Sequence, residues 1–224
     1  MQGIVTGASR GLGLALVRAL ADRGWRVAVD ARDGVALERA VGGLEGVVAL
    51  SGDVADPEHR RRLVAAAGDR LDLLVNNASV LGPSPLPSLG NYGLDELRRV
   101  YEVNVFAPLA LLQLALPRFR EGARVLNVTS DAAVEPYEGW GGYGSSKAAL
   151  AQVTAVFGAE NPHLRAYAVD PGDMRTQMQQ EAFPGEDISD RPLPEASVPG
   201  FLALIEGDHP SGRYRVRDLV GAPA

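Results

Sequence analysis

The sequence predicts an α/β fold, a doubly wound parallel sheet with helices on both faces, formed by residues 1–224 as one domain. Three observations carry this. Short runs rich in β-branched residues alternate with longer helical stretches, a pattern that sets strands parallel through helical crossovers. The run at 71–75, Leu-Asp-Leu-Leu-Val, is almost continuously apolar, as a strand covered on both faces must be. The first run leads directly into a glycine-rich turn, Thr6-Gly7-Ala8-Ser9-Arg10-Gly11-Leu12-Gly13, and then into a helix.

The elements follow in order. Residues 3–6 read as the first strand and 12–23 as a helix stopped by Gly24. A strand at 26–29, a helix at 35–41 and a strand at 47–50 come next. The helix at 57–67 begins with Pro57 at its first position and Asp56 as N-cap. After the strand at 71–75, residues 94–119 form a long helical stretch despite Pro108. A strand at 123–128, a helix at 143–157 and a strand at 164–169 complete the clear pattern. Residues 177–197, rich in proline, acids and glutamine, read as a mobile loop or lid over the strand ends.

Composition excludes several classes. Cysteine is absent, which removes disulfides and thiolate metal sites, and no metal site is expected. A net charge of −6 argues against a general nucleic-acid binder. The basic run Arg60-Arg61-Arg62 reads as a solvated helix face. No segment reads as the roughly 18 apolar residues that a membrane span needs, and glycines interrupt any signal-peptide layout at the N-terminus. The expectation is a soluble cytoplasmic protein.

Two motifs carry chemistry. Glycine at 7 permits a tight turn, and glycines at 11 and 13 allow close approach of a ligand and of the helix. The helix N-terminus then offers free N–H groups to a pyrophosphate. The Gly-Lys-Ser/Thr ending of an ATP- or GTP-binding loop is missing. The second motif holds the only lysine among 22 basic residues, Lys147, four residues after Tyr143. Positions i and i+4 share a helix face, so phenol and ammonium can lie together. An ammonium is a compact point charge that a planar guanidinium does not replace.

With these residues in order, the chain resembles the classical short-chain dehydrogenase/reductase family over residues 3 to about 176. The glycine spacing matches, as does the Tyr143–Lys147 pair, with Ser130 thirteen residues before Tyr143. Asn76-Asn77-Ala78 matches the start of the family's Asn-Asn-Ala-Gly turn, and Asn104 sits where the family has an active-site asparagine. Pro171-Gly172 with Thr176 resembles the segment around the nicotinamide, and Asp53-Val54 the pair at the adenine. Three positions depart: Ser79 replaces the last glycine of the turn, Asp170 precedes Pro171, and Asp131 follows Ser130.

The resemblance implies a Rossmann-type fold and hydride transfer between a nicotinamide cofactor and a carbonyl or alcohol. Catalysis would fall to Tyr143 as acid/base and to Ser130 at the oxyanion. Lys147 would bind the ribose and lower the phenol pKa, and Asn104 would hold a relay water. Opposite charges at about 4 Å and an effective dielectric of about 20 interact by about 4 kcal/mol, enough to lower a phenol by about three pH units. Cofactor contacts would come from Gly7, Ser9, Arg10, Gly11, Leu12 and Gly13. Arg32, Asp53, Val54, Asn77 and Ala78 would add to them, as would Tyr143, Lys147, Pro171, Gly172, Met174 and Thr176.

The family's spacing places the cofactor-deciding position at Ala31, with Asp30 one residue early and facing away. Arg32 and Arg10 would then meet a 2′-phosphate, so NADP(H) is expected over NAD(H); a bulged strand would let Asp30 reach the ribose and reverse this. Val134, Tyr137 and Trp140 should line one wall for a partly hydrophobic small-molecule carbonyl or alcohol. The resemblance also implies a homodimer or homotetramer. A non-catalytic NADP-binding regulator on the same fold is the alternative, and a dehydratase or epimerase step a third reading. A regulator would be expected to lose Tyr143, Lys147 or Ser130, and all three are present.

Overall fold

The computed structural model of the chain describes residues 1–219. Among them, seven strands form one parallel sheet in the order β3-β2-β1-β4-β5-β6-β7. The chain starts in the middle with β1 (Gln2–Val5), winds outward through β2 (Arg26–Ala31) and β3 (Val47–Ser51), then returns. It continues on the other side through β4 (Leu71–Asn76), β5 (Phe119–Val128), β6 (Arg165–Asp170) and β7 (Gly212–Arg215). The crevice where the direction reverses, between β1 and β4, is where such sheets bind ligands.

Neighbouring strand residues feed opposite apolar layers. Val5, Val29 and Val75 face one layer with α1 (Gly11–Ala21) and α8 (Val198–Glu206); α2 (Gly34–Val41) closes its edge. Ile4, Ala28 and Leu74 face the other, with α3 (Pro57–Ala66), α5 (Ala107–Ala115) and α6 (Gly141–Glu160). Burial on both faces is why the strands lack polar alternation. Asp56 caps α3 by accepting from Glu58 N at 2.9 Å, as its position before Pro57 predicts.

Five expectations need correction. The helix read over 94–119 is composite: α4 (Leu94–Tyr101), a π-helical turn Glu102–Phe106, α5, and a 3₁₀ turn Leu116–Arg118. Pro108 has no N–H to give the carbonyl of Asn104, so the α ladder cannot run unbroken through this point. Pro117 ends the helix, and β5 begins at Phe119, four residues before the strand read from 123. By length and apolar composition alone, Leu94–Arg118 suffices to cross a membrane, against the sequence reading; half of its most apolar window is buried in this fold.

The segment 177–197, read as a mobile loop or lid, is not loop throughout. It holds α7 (Gln177–Ala182) and a 3₁₀ turn Pro194–Ser197, with Ser197 Oγ donating to Pro171 O at 3.0 Å. Nor is Arg60-Arg61-Arg62 a uniform solvated face. Arg60 is buried and donates to Val54 O at 2.5 Å, bracing the loop after β3.

Candidate active site

The strand ends open onto one cavity of about 1410 Å³. Its floor is the turn after β1. Gly7 has φ 70, and a Cβ there would stand 2.9 Å from Ala78 Cα; a Cβ on Gly13 would stand 2.3 Å from Gly7 O. Side chains are excluded by contact as well as by backbone shape. Gly7, Ser9, Arg10, Gly11 and Leu12 line the cavity, whereas Gly13 packs the helix onto the turn and does not. Thr6 Oγ1 accepts from Asn77 N at 3.0 Å and Ala78 N at 2.9 Å, and Asn77 Nδ2 donates to Thr6 O at 2.8 Å. The turns after β1 and β4 are thereby locked together, with Asn77 and Ala78 on the cavity wall.

The end of β2 borders the same cavity. Asp30 is buried; its Oδ1 accepts from Gly7 N at 2.8 Å and its Oδ2 meets His59 Nε2 at 2.9 Å. The β2–β3 register is regular, so no bulge swings Asp30 outward. Arg32 is exposed, lines the cavity and has no side-chain partner among the described residues. Arg10, in contrast, donates to Gln177 Oε1 and ties the glycine turn to α7, so it is not wholly free to meet a phosphate. Asp53 and Val54 line the same end, with Asp53 Oδ1 accepting from Ala55 N at 2.9 Å.

At the other end, Tyr143 and Lys147 project from the first turns of α6 into the cavity. Lys147 is 2% exposed; its Nζ donates to Val128 O at 2.8 Å and lies 5.5 Å from the Tyr143 ring centroid. Burial pushes the lysine down to about 7. Burial also raises the Tyr143 phenol, as do the Asp170 and Asp131 charges, while Ser79 acts in the lowering direction. The lowering of the phenol by Lys147 expected from the spacing is therefore absent in the cofactor-free chain. Desolvation outweighs a lysine that is itself only partly charged at neutral pH.

Ser130 lies on the cavity wall at the end of β5. Its Oγ donates to Asp131 Oδ1 at 2.9 Å and accepts from Ala132 N at 3.2 Å, so the hydroxyl also caps the next turn. Asn104 does not line the cavity. Its Oδ1 accepts from Ser79 Oγ at 3.0 Å and Val80 N at 2.9 Å, and its Nδ2 donates to Val80 O and Ser146 Oγ. The side-chain amide therefore has no spare polar atom for the relay water expected of Asn104. Ser79 needs no glycine backbone, since no non-glycine residue described has positive φ.

The wall beside Tyr143 is aromatic. Trp140 packs edge-on to Tyr143 at 5.8 Å and against Phe183 at 5.9 Å, with Met178 alongside in the lining. Tyr137 lines the cavity and donates to Asp131 Oδ2 at 3.0 Å. Val134, expected here, is 58% exposed and outside the lining. Pro171, Gly172, Met174 and Thr176 line the rim, with Thr176 Oγ1 capping α7. Sequence reasoning missed Phe183, Met178, His59 and Arg213. The aromatic and apolar character of the first two within a proline-rich segment was the one available signal.

A family model described as short chain dehydrogenase matches residues 3–187. A benzil reductase ((S)-benzoin forming) of Bacillus subtilis is 34% identical over 185 residues, 79% of this chain and 75% of the relative. The crystal structure of KRED1-Pglu enzyme superposes with a TM-score of 0.85 at 33% identity, covering 95% of this chain and 99% of that one. A putative short chain dehydrogenase of Escherichia coli CFT073, solved in complex with NADPH, gives 0.87 at 26% identity, covering 96% and 95%.

Proposed function

This chain belongs to the short-chain dehydrogenase family and is an NAD(P)-dependent oxidoreductase, and from that premise we propose that it reduces apolar, aryl-bearing ketones or 1,2-diketones with NADPH. The observation that carries the reading is the meeting of the Tyr143–Lys147 pair, the glycine turn and the unpartnered Arg32 in one cavity. The turn fits a dinucleotide on its own evidence, since it is a cradle that a single Cβ would fill. Arg32 would hold the 2′-phosphate, while the Asp30 carboxylate is already engaged at both oxygens, by Gly7 and His59.

A bound NADPH supplies the hydride. Tyr143 gives the proton to the carbonyl oxygen. The phenol is protonated through the neutral range, as a donor must be, but burial makes it a weaker acid, so the transfer relies on the positive charge that Lys147 and the cofactor bring beside it. Ser130 steadies the oxyanion by turning its hydroxyl from Asp131 to the substrate. Lys147, held by Val128 O, presents its remaining N–H groups to the nicotinamide ribose. Asn104 would hold the relay water by its main-chain carbonyl, to which Pro108 offers no N–H.

The wall of Trp140, Phe183 and Met178 and the likeness to a benzil reductase support an aryl substrate. Exposed Phe106 and Val156, on the helical elements that carry Asn104 and Tyr143, support a homodimer or homotetramer through that face. A cytoplasmic location goes with this reading. The test is NADPH oxidation across aryl 1,2-diketones, aryl ketones and aliphatic ketones. The diketones should turn over fastest, and Tyr143→Phe should lose about a thousandfold in kcat while binding NADPH as before. Full activity in that variant would sink the mechanism.

A further inference from the structure

Asp170 ends β6, at one of the positions where this chain departs from the family pattern. It is 4% exposed and lies in the lining of the active cavity. Its Oδ1 accepts from Gly172 N at 3.0 Å and its Oδ2 accepts from an Arg213 guanidinium nitrogen at 3.3 Å. The same nitrogen donates to the main-chain carbonyl of Ser130 at 3.3 Å. Arg213 is carried by β7, where it pairs in register with Ala168, two residues before Asp170. This strand lies beyond residue 187, where the family match ends. One guanidinium thus links the strand end that presents Ser130 to a carboxylate beside the Pro171-Gly172 rim.

We propose that Arg213 and Asp170 form a matched positioning pair, in which Arg213 fixes the backbone of Ser130 and offsets the Asp170 charge that would otherwise stand uncompensated beside the Tyr143 phenol. The proposal rests on the reading of Tyr143 as proton donor. Neither residue is given a direct part in the reaction; each acts through Ser130 or Tyr143.

The surrounding charges make the match matter. Asp170 and Asp131 both raise the phenol, Ser79 lowers it, and Lys147 stands on the same helix. Glu138, Asp173 and Glu181 line the same cavity. Burial pushes Asp170 up, Asp131 adds to that, and Arg213 and Arg217 oppose it. A buried carboxylate that loses its partner leaves an uncompensated charge, whereas removing both partners does not. The two substitutions should therefore move the phenol in opposite directions.

Alcohol oxidation reads this directly, because Tyr143 must then lose its proton. Its kcat would be measured against pH for wild type, Arg213→Leu, Arg213→Lys, Asp170→Asn and the Asp170→Asn/Arg213→Leu double variant. Arg213→Leu should move the rising limb up by about one pH unit and lower kcat about tenfold. Asp170→Asn should move the limb down, the double variant should follow Asp170→Asn, and Arg213→Lys should stay near wild type. Coincident limbs, or both single substitutions moving the limb the same way, overturn the pair. If the wild type turns over no alcohol or carbonyl, the functional reading fails. The pair is then read from tyrosinate absorbance against a Tyr143→Phe blank, where the same order of shifts supports it and its absence overturns it.

Discussion

Each end of the cleft contains a buried aspartate, and the two are held differently. Asp30, at the glycine-turn end, is bound by the Gly7 amide at 2.8 Å and by a fully buried His59 at 2.9 Å. Asp170, at the Tyr143 end, depends on an Arg213 that is 31% exposed and stands at 3.3 Å, and burial raises its pKa. The first is satisfied by groups that cannot move without undoing the turn. The second is balanced by a charge that one surface substitution would remove. The glycine-turn region is closed upon itself, and the substrate region keeps its charges adjustable.

The sharpest way to break the comparison is Gly13→Ala. Its Cβ would fall 2.3 Å from Gly7 O, against backbone that has no room to yield. We expect a loss of about 2–3 kcal/mol in stability and loss of NADPH binding, measured by denaturant unfolding and fluorescence titration. Normal binding would show that the turn is less closed than its contacts say.

Lys147 gives the next largest effect. Its folded pKa of about 7 lies below its unfolded 10.5, so the unfolded chain binds more protons between these values. Its contribution to cofactor-free stability therefore rises with pH across pH 7 to 10.5. Tyr143 works the other way only above its ordinary pKa of 10.0. Lys147→Met should be more stable than wild type by about 2 kcal/mol near neutrality, with the advantage fading by pH 10. Parallel stability curves for the two proteins would contradict the buried ammonium.

Smaller effects sharpen the contrast. Arg32→Ala should weaken NADPH about tenfold, about 1.4 kcal/mol, and leave NADH nearly unchanged in the same titration. Phe183→Ala should raise KM for an aryl diketone about threefold with little change in kcat, because it removes wall without touching the proton donor.

The same contrast explains what the sequence disclosed. The parallel sheet covered on both faces and the floor of the site were legible because they depend on backbone: a glycine where no Cβ fits, a proline that cannot donate, valines facing two cores. Tyr143, Lys147 and Ser130 were legible through spacing along one strand end and one helix. Asp30 was read as facing away, whereas it lies in the cavity lining with its carboxylate held by Gly7 and His59. The pairing with His59, 29 residues on, is a matter of packing that no local pattern records. Arg213 lies 43 residues from Asp170 and meets it only because β7 adds to the sheet edge. The saturated side chain of Asn104 escaped notice because Ser79 and Val80 reach it from another strand's loop.

The lone lysine has one more consequence. In a chain with a single ε-amino group, a lysine-selective nitrogen or carbon label places one reporter in the whole protein. That reporter sits beside Tyr143 at the far end of the cleft from the glycine turn, against Val128. Its resonance would follow protonation and ligand arrival at the reacting centre with no assignment and no background.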